Sequence, residues 1–308
     1  MPIMKKKDRY KVLIAIFFAV LFVSIGIFAT KNTQLETETQ QAVQGLKEQQ
    51  ATQLRDIRNN LMSELAEAYS FDAETLFVYN LSTDKVIFER QAKTPRNLAS
   101  LAKLLLARTA LETPSEDALC IELEDLAAIG DDELVVGGCY TEPDILSAML
   151  MASSNDLALT IDRENPGRNE VLAQYLDTYN LDMVINDPSG YDFRSTERAS
   201  TGSASEILSV AFDLLLASPS IAHATTRAEF TLGAQVLKHT YPNVEAIPDL
   251  RMLKTGYTDL AGGNMLGIVE PVPGEYIGIV VMKSGFDSRF TDFEKLSDNI
   301  EMSYRIVQ

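Results

Sequence analysis

Three short motifs stand in one order along the chain: Ser100-Leu101-Ala102-Lys103, Ser153-Ser154-Asn155 and Lys254-Thr255-Gly256. A serine hydroxyl is a weak nucleophile until a neighbouring base takes its proton. Ser100 and Lys103 are three apart, so on a helix they share a face. The apolar run 104–107 that comes next predicts a buried helix. Burial disfavours an ammonium, and the positive end of a helix dipole disfavours it further. Lys103 is therefore a candidate general base for Ser100. Ser153 can relay protons, Asn155 can hold a substrate amide, and Lys254 adds positive charge. Thr255 offers a hydroxyl, and Gly256 lets a substrate backbone approach closely. The chemistry this set implies is acyl transfer through a serine ester.

Two of the motifs recur. Ser82-Thr83-Asp84-Lys85 repeats the Ser-x-x-Lys spacing, and Ser297-Asp298-Asn299 repeats Ser-x-Asn. The first copy sits between two β-like runs, Thr75–Asn80 and Lys85–Arg90, and reads as a polar hairpin turn. The second comes after Lys-Thr-Gly, out of order, in a C-terminal helical segment. Both are decoys.

The elements that must position the ordered triple can be read coarsely. From residue 72 the composition becomes globular, and the rest of the chain is long enough for one large core. An opening hairpin precedes the Ser100 helix and a mostly helical middle. Residues 144–162 read as one helix carrying the second motif, and 205–217 as another. Strands return at 250–255, 265–269 and 276–282. The spacing predicts a final helix from Thr291, with Glu294 completing a capping box. Phe293, Leu296, Ile300, Tyr304 and Val307 give it one apolar face. Strands at both ends around helices predict an α+β fold: an antiparallel sheet flanked by helices, with an inserted helical subdomain and the site between them.

Ahead of this domain the chain is organised differently. Residues 1–11 form a basic tail predicted to be cytoplasmic, and 12–30 a transmembrane signal anchor around the uncharged run 12–29. Ala29 could be a cleavage site; a retained anchor is favoured, because no other hydrophobic run could tether the protein. Residues 31–70 are predicted as a helical stalk. Val43, Leu54 and Leu65 recur every eleven residues, as do Leu46 and Ile57, which suits a nearly straight helix. Gln50 interrupts the stripe, so a lone helix is favoured over a coiled-coil dimer. Residues 71–308 are the catalytic domain, expected outside the membrane.

The formal charge is −17, and the basic tail leaves −21 on the remainder. This excludes nucleic acid and anionic surfaces as partners. Cys120 and Cys139 are the only cysteines, each beside a β-like run, and a disulfide is plausible in an oxidising compartment. His223 and His239 are the only histidines. With no Cys/His cluster, no metal site is expected.

Longer stretches around the motifs resemble a known family. Asn97-Leu-Ala-Ser-Leu-Ala-Lys103, Met149-Leu-Met-Ala-Ser-Ser-Asn-Asp156, Met252-Leu-Lys-Thr-Gly-Tyr-Thr-Asp-Leu-Ala-Gly262 and Ser284-Gly-Phe-Asp-Ser-Arg289 are similar to the low-molecular-mass penicillin-binding proteins. These are serine D-alanyl-D-alanine carboxypeptidases and their endopeptidase relatives, in the wider superfamily with the β-lactamases. The likeness covers roughly residues 72 to 308. It implies a β-lactamase/transpeptidase-like fold, peptidoglycan stem peptides as substrate, β-lactams as covalent inhibitors, and no cofactor. It implies Ser100 as nucleophile and Lys103 as its base. Ser153, Asn155 and Lys254 would move protons and position substrate. Thr255 and Arg289 would receive the terminal carboxylate, beside Gly256 and Tyr257. Backbone N–H groups of Ser100 and Tyr257 would form the oxyanion hole.

Removal of a terminal D-alanine is the leading expectation, with D,D-endopeptidase action open. The second domain of many carboxypeptidases has no room after the last helix. A β-lactamase would need a carboxylate to activate the deacylating water. Glu164, Glu170 and Glu197 lie in the right region, but none stands in a recognisable pattern, and Asp187-Pro-Ser-Gly190 looks more like the peptidase group. A catalytically idle penicillin-binding scaffold is the remaining alternative, and the intact triple argues against it.

Overall fold

Residues 31–68 hold no proline and one glycine, so nothing in them stops a helix. In the computed structural model, which describes residues 6–126, 134–165, 167–192 and 199–307, helix α1 runs unbroken over Lys6–Glu67. The chain divides into two compact units, Met1–Ile57 and Arg58–Gln308. The last turns of α1 thus belong to the larger unit. There Met62 and Ala66 are buried in its core, and Arg58 donates to the Val307 carbonyl at 3.0 Å and covers the Tyr304 ring. Among the described residues no helix is long and apolar enough to cross a membrane. The run 12–29 includes 12–16, 25 and 29, whose side chains lie outside the described residues.

The centre of the larger unit is a five-stranded antiparallel sheet. Its strands are β1 (Thr75–Asn80), β2 (Lys85–Arg90), β9 (Leu250–Thr258), β10 (Gly262–Val272) and β11 (Glu275–Ser284), in the order β2-β1-β11-β10-β9. The central strands read as continuous apolar runs because both faces are covered. Side chains alternate between them. Ile277, Ile279 and Val281 join one core cluster with Phe293, Leu296 and Ile300 of helix α8 (Ser288–Ile306). Val280 and Met282 join the other, with helices α2 (Ala102–Ala110) and α6 (Ala204–Ala217). Gly278 has no room for a side chain: a Cβ would meet Leu208 of α6 at 2.4 Å. The fold is the expected antiparallel sheet with helices.

The helical middle departs from expectation at one point. Residues 144–162 are two helices, α3 (Glu142–Ala152) and α4 (Asn155–Glu164). They part at Ser153, a left-handed residue with φ 61°, and Ser154 caps α4 by accepting from Leu157 N–H at 3.2 Å. Apolar periodicity runs straight through this break and hides it. The second motif is therefore a helix junction. Helices α5 (Arg168–Thr178) and α7 (Pro219–Ala224) flank α2 and α3.

Helix α8 begins at Ser288, before the expected Thr291. The Thr291–Glu294 capping box is not formed: Thr291 Oγ1 donates to the Ser288 carbonyl, and Glu294 takes the Tyr241 hydroxyl. Tertiary bonds set this end instead. Asp292 accepts from the backbone N–H groups of Asp72 and Ala73 and from Ser284 Oγ.

Smaller pairs complete the domain. Strands β3 (Arg96–Asn97) and β6 (Thr201–Gly202) pair ahead of Ser100. Strands β7 (Glu229–Leu232) and β8 (Gln235–Lys238) form a hairpin. Strands β4 (Leu119–Cys120) and β5 (Cys139–Tyr140) place the two cysteines directly opposite, and they form a disulfide.

Candidate active site

Ser100 stands on a 3₁₀ turn, Ala99–Leu101, that runs into α2 and puts Lys103 in its first turn. Lys103 Nζ lies 2.9 Å from Ser100 Oγ, as the three-residue spacing requires. It also donates to Asn155 Oδ1 at 2.7 Å and to the Ser189 carbonyl at 2.6 Å. Asn155 reaches it because α4 starts anew after the Ser153 break. Lys254, on the edge strand β9, donates to Ser153 Oγ at 2.7 Å and to the Thr255 carbonyl at 2.8 Å. The three motifs therefore meet, with one amine bound to each of two serines.

Electrostatics separate the groups around these amines. Lys254 is fully buried and is held well below the usual lysine range, first by burial, then by the Lys103 and Arg289 charges. Lys254 was expected to add positive charge, and burial together with the neighbouring cations opposes that charge. His239 is buried nearby and lowered to about 4, by burial and then by Lys254. Its Nδ1 accepts from the Tyr241 N–H at 2.8 Å, so it is a neutral structural residue. His223 is on the surface.

Backbone fit shapes the floor. Ala99 is left-handed, φ 47°, and Gly190, φ 76°, packs on it so closely that a Cβ would lie 1.9 Å from the Ala99 carbonyl oxygen. A Cβ on Gly256 would come within 3.1 Å of Ser100 N. The cleft above, about 330 Å³, is lined by Ser100, Ser153, Asn155, Thr255, Gly256, Tyr257 and Arg289, together with Thr240 and Phe286. Thr240 and Thr255 share a hydroxyl contact of 2.5 Å.

Arg289 closes one end. Only 5% of it is exposed, and among the described residues no carboxylate forms an ion pair with it, Asp287 acting on it only as a nearby charge. Its Nη1 donates to the Phe286 carbonyl, its Nε is buried without a hydrogen-bond partner, and the rings of Phe290 and Phe286 stand 4.2 and 4.4 Å from it. Burial pulls the guanidinium down to about 10, with Asp287 and Tyr257 opposing, so it is charged at neutral pH. Arg289 and Thr255 thus line the same cleft, and a guanidinium is a donor that carboxylates pair with.

Residues 62–284 match the family model of D-alanyl-D-alanine carboxypeptidases. The chain belongs to that family. It is a serine-type D-Ala-D-Ala carboxypeptidase. Solved structures agree in fold. Penicillin-binding protein D2 from Listeria monocytogenes, in its ampicillin-bound form, is 25% identical with a TM-score of 0.66, over 74% of this chain and 97% of that one. A D-alanyl-D-alanine carboxypeptidase from Mycobacterium tuberculosis H37Rv is 20% identical with a TM-score of 0.67, over 76% and 92%. The Streptomyces K15 DD-transpeptidase is 15% identical with a TM-score of 0.66, over 75% and 98%. No curated protein matches the chain.

In this carboxypeptidase the decoy motifs stay apart from the cleft. Ser82 lies in the β1–β2 turn, where its hydroxyl donates to the Gly274 carbonyl and accepts from the Tyr276 N–H. Ser297 and Asn299 are buried on α8. Of the glutamates weighed for a lactamase, Glu164 pairs with Arg163, and Glu170 is exposed on α5; Glu197 lies outside the described residues. Among the described residues no carboxylate lines the cleft, and none of the acidic, His or Cys groups is placed to hold a metal ion.

Sequence reasoning missed the Ser189 carbonyl, Thr240, Phe286 and the role of Gly190. The resemblance of Asp187-Pro-Ser-Gly190 to the peptidase group marked the Ser189 segment without indicating what it faces. Thr240 carries no local signal, because only the packing of the β8–β9 connection against β9 brings it to Thr255.

Proposed function

We propose that this enzyme removes the terminal D-alanine from peptidoglycan stem peptides through an ester on Ser100. The peptide carboxylate docks on Arg289 and Thr255. Lys103, as the amine, takes the Ser100 proton while Oγ attacks the penultimate D-alanyl carbonyl. The oxyanion sits on the backbone N–H groups of Ser100 and Tyr257. Ser153, coupled to Lys254, passes a proton to the departing amine of D-alanine. Water then adds to the ester, a base of the same set takes its proton, and Ser100 is regenerated with the shortened peptide. The observation that carries this reading is the 2.9 Å contact of Lys103 Nζ with Ser100 Oγ in a cleft ended by the buried Arg289 guanidinium.

The same cleft is expected to accept β-lactams covalently, which the ampicillin-bound Listeria relative supports. The basic tail and the uncharged run 12–29 support a retained single-pass anchor that holds the domain outside the membrane. The test is to incubate the full chain with a pentapeptide and with purified crosslinked peptidoglycan, and to identify products by mass. Release of D-alanine that is lost in Ser100→Ala supports the proposal. Cleaved crosslinks without D-alanine release would favour the endopeptidase alternative, and no product from either would favour the idle scaffold. Extraction of the chain from membranes by detergent but not by high salt tests the anchor.

A further inference from the structure

Asn264 belongs to none of the three motifs, yet it is buried to 0% exposure at the base of the site. On β10 it stands directly opposite Gly256 of β9. Cross-strand partners project to the same face of a sheet, so the missing Gly256 side chain and the Asn264 carboxamide confront the same turn. The Asn264 Nδ2 group donates to the Asn97 carbonyl at 2.9 Å and to the Leu98 carbonyl at 3.0 Å. Its Oδ1 accepts from the Lys283 N–H of β11 at 3.0 Å. One amide thus ties the two residues that lead into Ala99 to β10 and β11, two inner strands of the sheet.

The residue next to that tie is strained. Ala99 is a non-glycine residue at φ 47°, a conformation that persists only where its surroundings impose it. Gly190 and Gly256 press on the Ala99–Ser100 peptide from two sides. They exclude side chains but supply no directional bond to Leu98. The Asn264 amide supplies one, immediately before the strained residue.

We infer that Asn264 is the positioning residue for the nucleophile. By fixing the Asn97 and Leu98 carbonyls it holds the left-handed turn at Ala99, and so the distance from Ser100 Oγ to Lys103 Nζ and the direction of the Ser100 N–H. This rests on Ser100 being the acylated residue. The atoms matter individually: the two N–H donors orient the turn, while the carbonyl oxygen only joins β10 to β11.

The discriminating variant is Asn264→Asp, which keeps the acceptor for Lys283 and replaces both donors with an oxygen facing two carbonyls. In the full chain in detergent, the first-order acylation rate by a β-lactam is expected to fall at least about a hundredfold at neutral pH. Non-covalent affinity, read from the saturation of that rate, should move less than about threefold. The deficit relative to wild type should shrink as the pH is lowered, because a protonated carboxyl regains one donor. Asn264→Ser, which cannot reach the carbonyls, should show the loss without the pH recovery, and it serves if the aspartate variant does not fold. Leu208→Ala, a core change remote from the turn, is the control for lowered stability alone. Acylation within threefold of wild type in either Asn264 variant, or a loss no larger than that of a control with equal melting temperature, would overturn the inference. Labelling that survives Ser100→Ala would instead overturn the functional reading beneath it.

Discussion

Lys254 Nζ and Ser153 Oγ stand 2.7 Å apart at the junction of α3 and α4, where the left-handed Ser153 turns its hydroxyl toward the edge strand. Lys103 makes the matching contact with Ser100. Each serine therefore has its own amine, and the two amines have different surroundings. Lys254 is fully buried, and burial with the neighbouring cations holds it well below the usual lysine range.

Replacing Lys103 with Arg keeps the charge but removes the base, because a guanidinium stays protonated. Acylation of Ser100 by a fluorescent penicillin should fall by on the order of a hundredfold or more in Lys103→Arg. Stopped-flow labelling measures this directly. A near-normal rate would be incompatible with a lysine base.

His239 gives the fold an acid-sensitive point. Its native value is lowered to about 4 from an ordinary 6.5, so the unfolded chain binds the proton more readily. The stability that its neutral form contributes is complete above 6.5 and is lost as the pH falls toward 4. Linkage gives a loss of about 2 kcal/mol between pH 7 and pH 5. Denaturant midpoints at the two pH values should show it in the wild type. His239→Asn, which can still accept from the Tyr241 N–H, should lack that component. An unchanged pH dependence in the variant would assign the acid sensitivity elsewhere.

The Cys120–Cys139 bridge closes a loop with a sequence separation of 19. Chain-entropy arithmetic for such a loop gives about 3 kcal/mol of stabilisation. Cys139→Ser, or reduction, should lower the melting temperature measurably, while the acylation rate at 25 °C stays near wild type because neither cysteine lines the cleft. A non-reduced peptide map should recover the two residues as one crosslinked fragment.

The penicilloyl ester should be long-lived. A lactamase deacylates quickly because a carboxylate activates water, and among the described residues none lines this cleft. Intact-protein mass against time, after removal of free drug, reads the lifetime. Decay within about a second, with sustained turnover of penicillin, would put a water-activating carboxylate in or near the site.

Much of this molecule is local and can be read from residue order. The 75–80 and 85–90 strands, the Ser100–Lys103 helix face and the long α1 come from alternation, spacing and the lack of helix breakers, which act within a few residues. The ordered triple named the chemistry because each motif contributes a distinct part of one reaction. Tertiary structure decided what distance along the chain conceals. The helix read through 144–162 breaks at Ser153, because a hydroxyl facing Lys254 and an amide facing Lys103 cannot both project from one straight helix. The start of α8 was set by Asp292 bonding to residues 72 and 73, more than two hundred positions away. The lowered Lys254, the aromatic seat of Arg289 and the Asn264 clamp all arise from burial and from partners on other strands. Those are properties of packing, and no local pattern in the sequence encodes them.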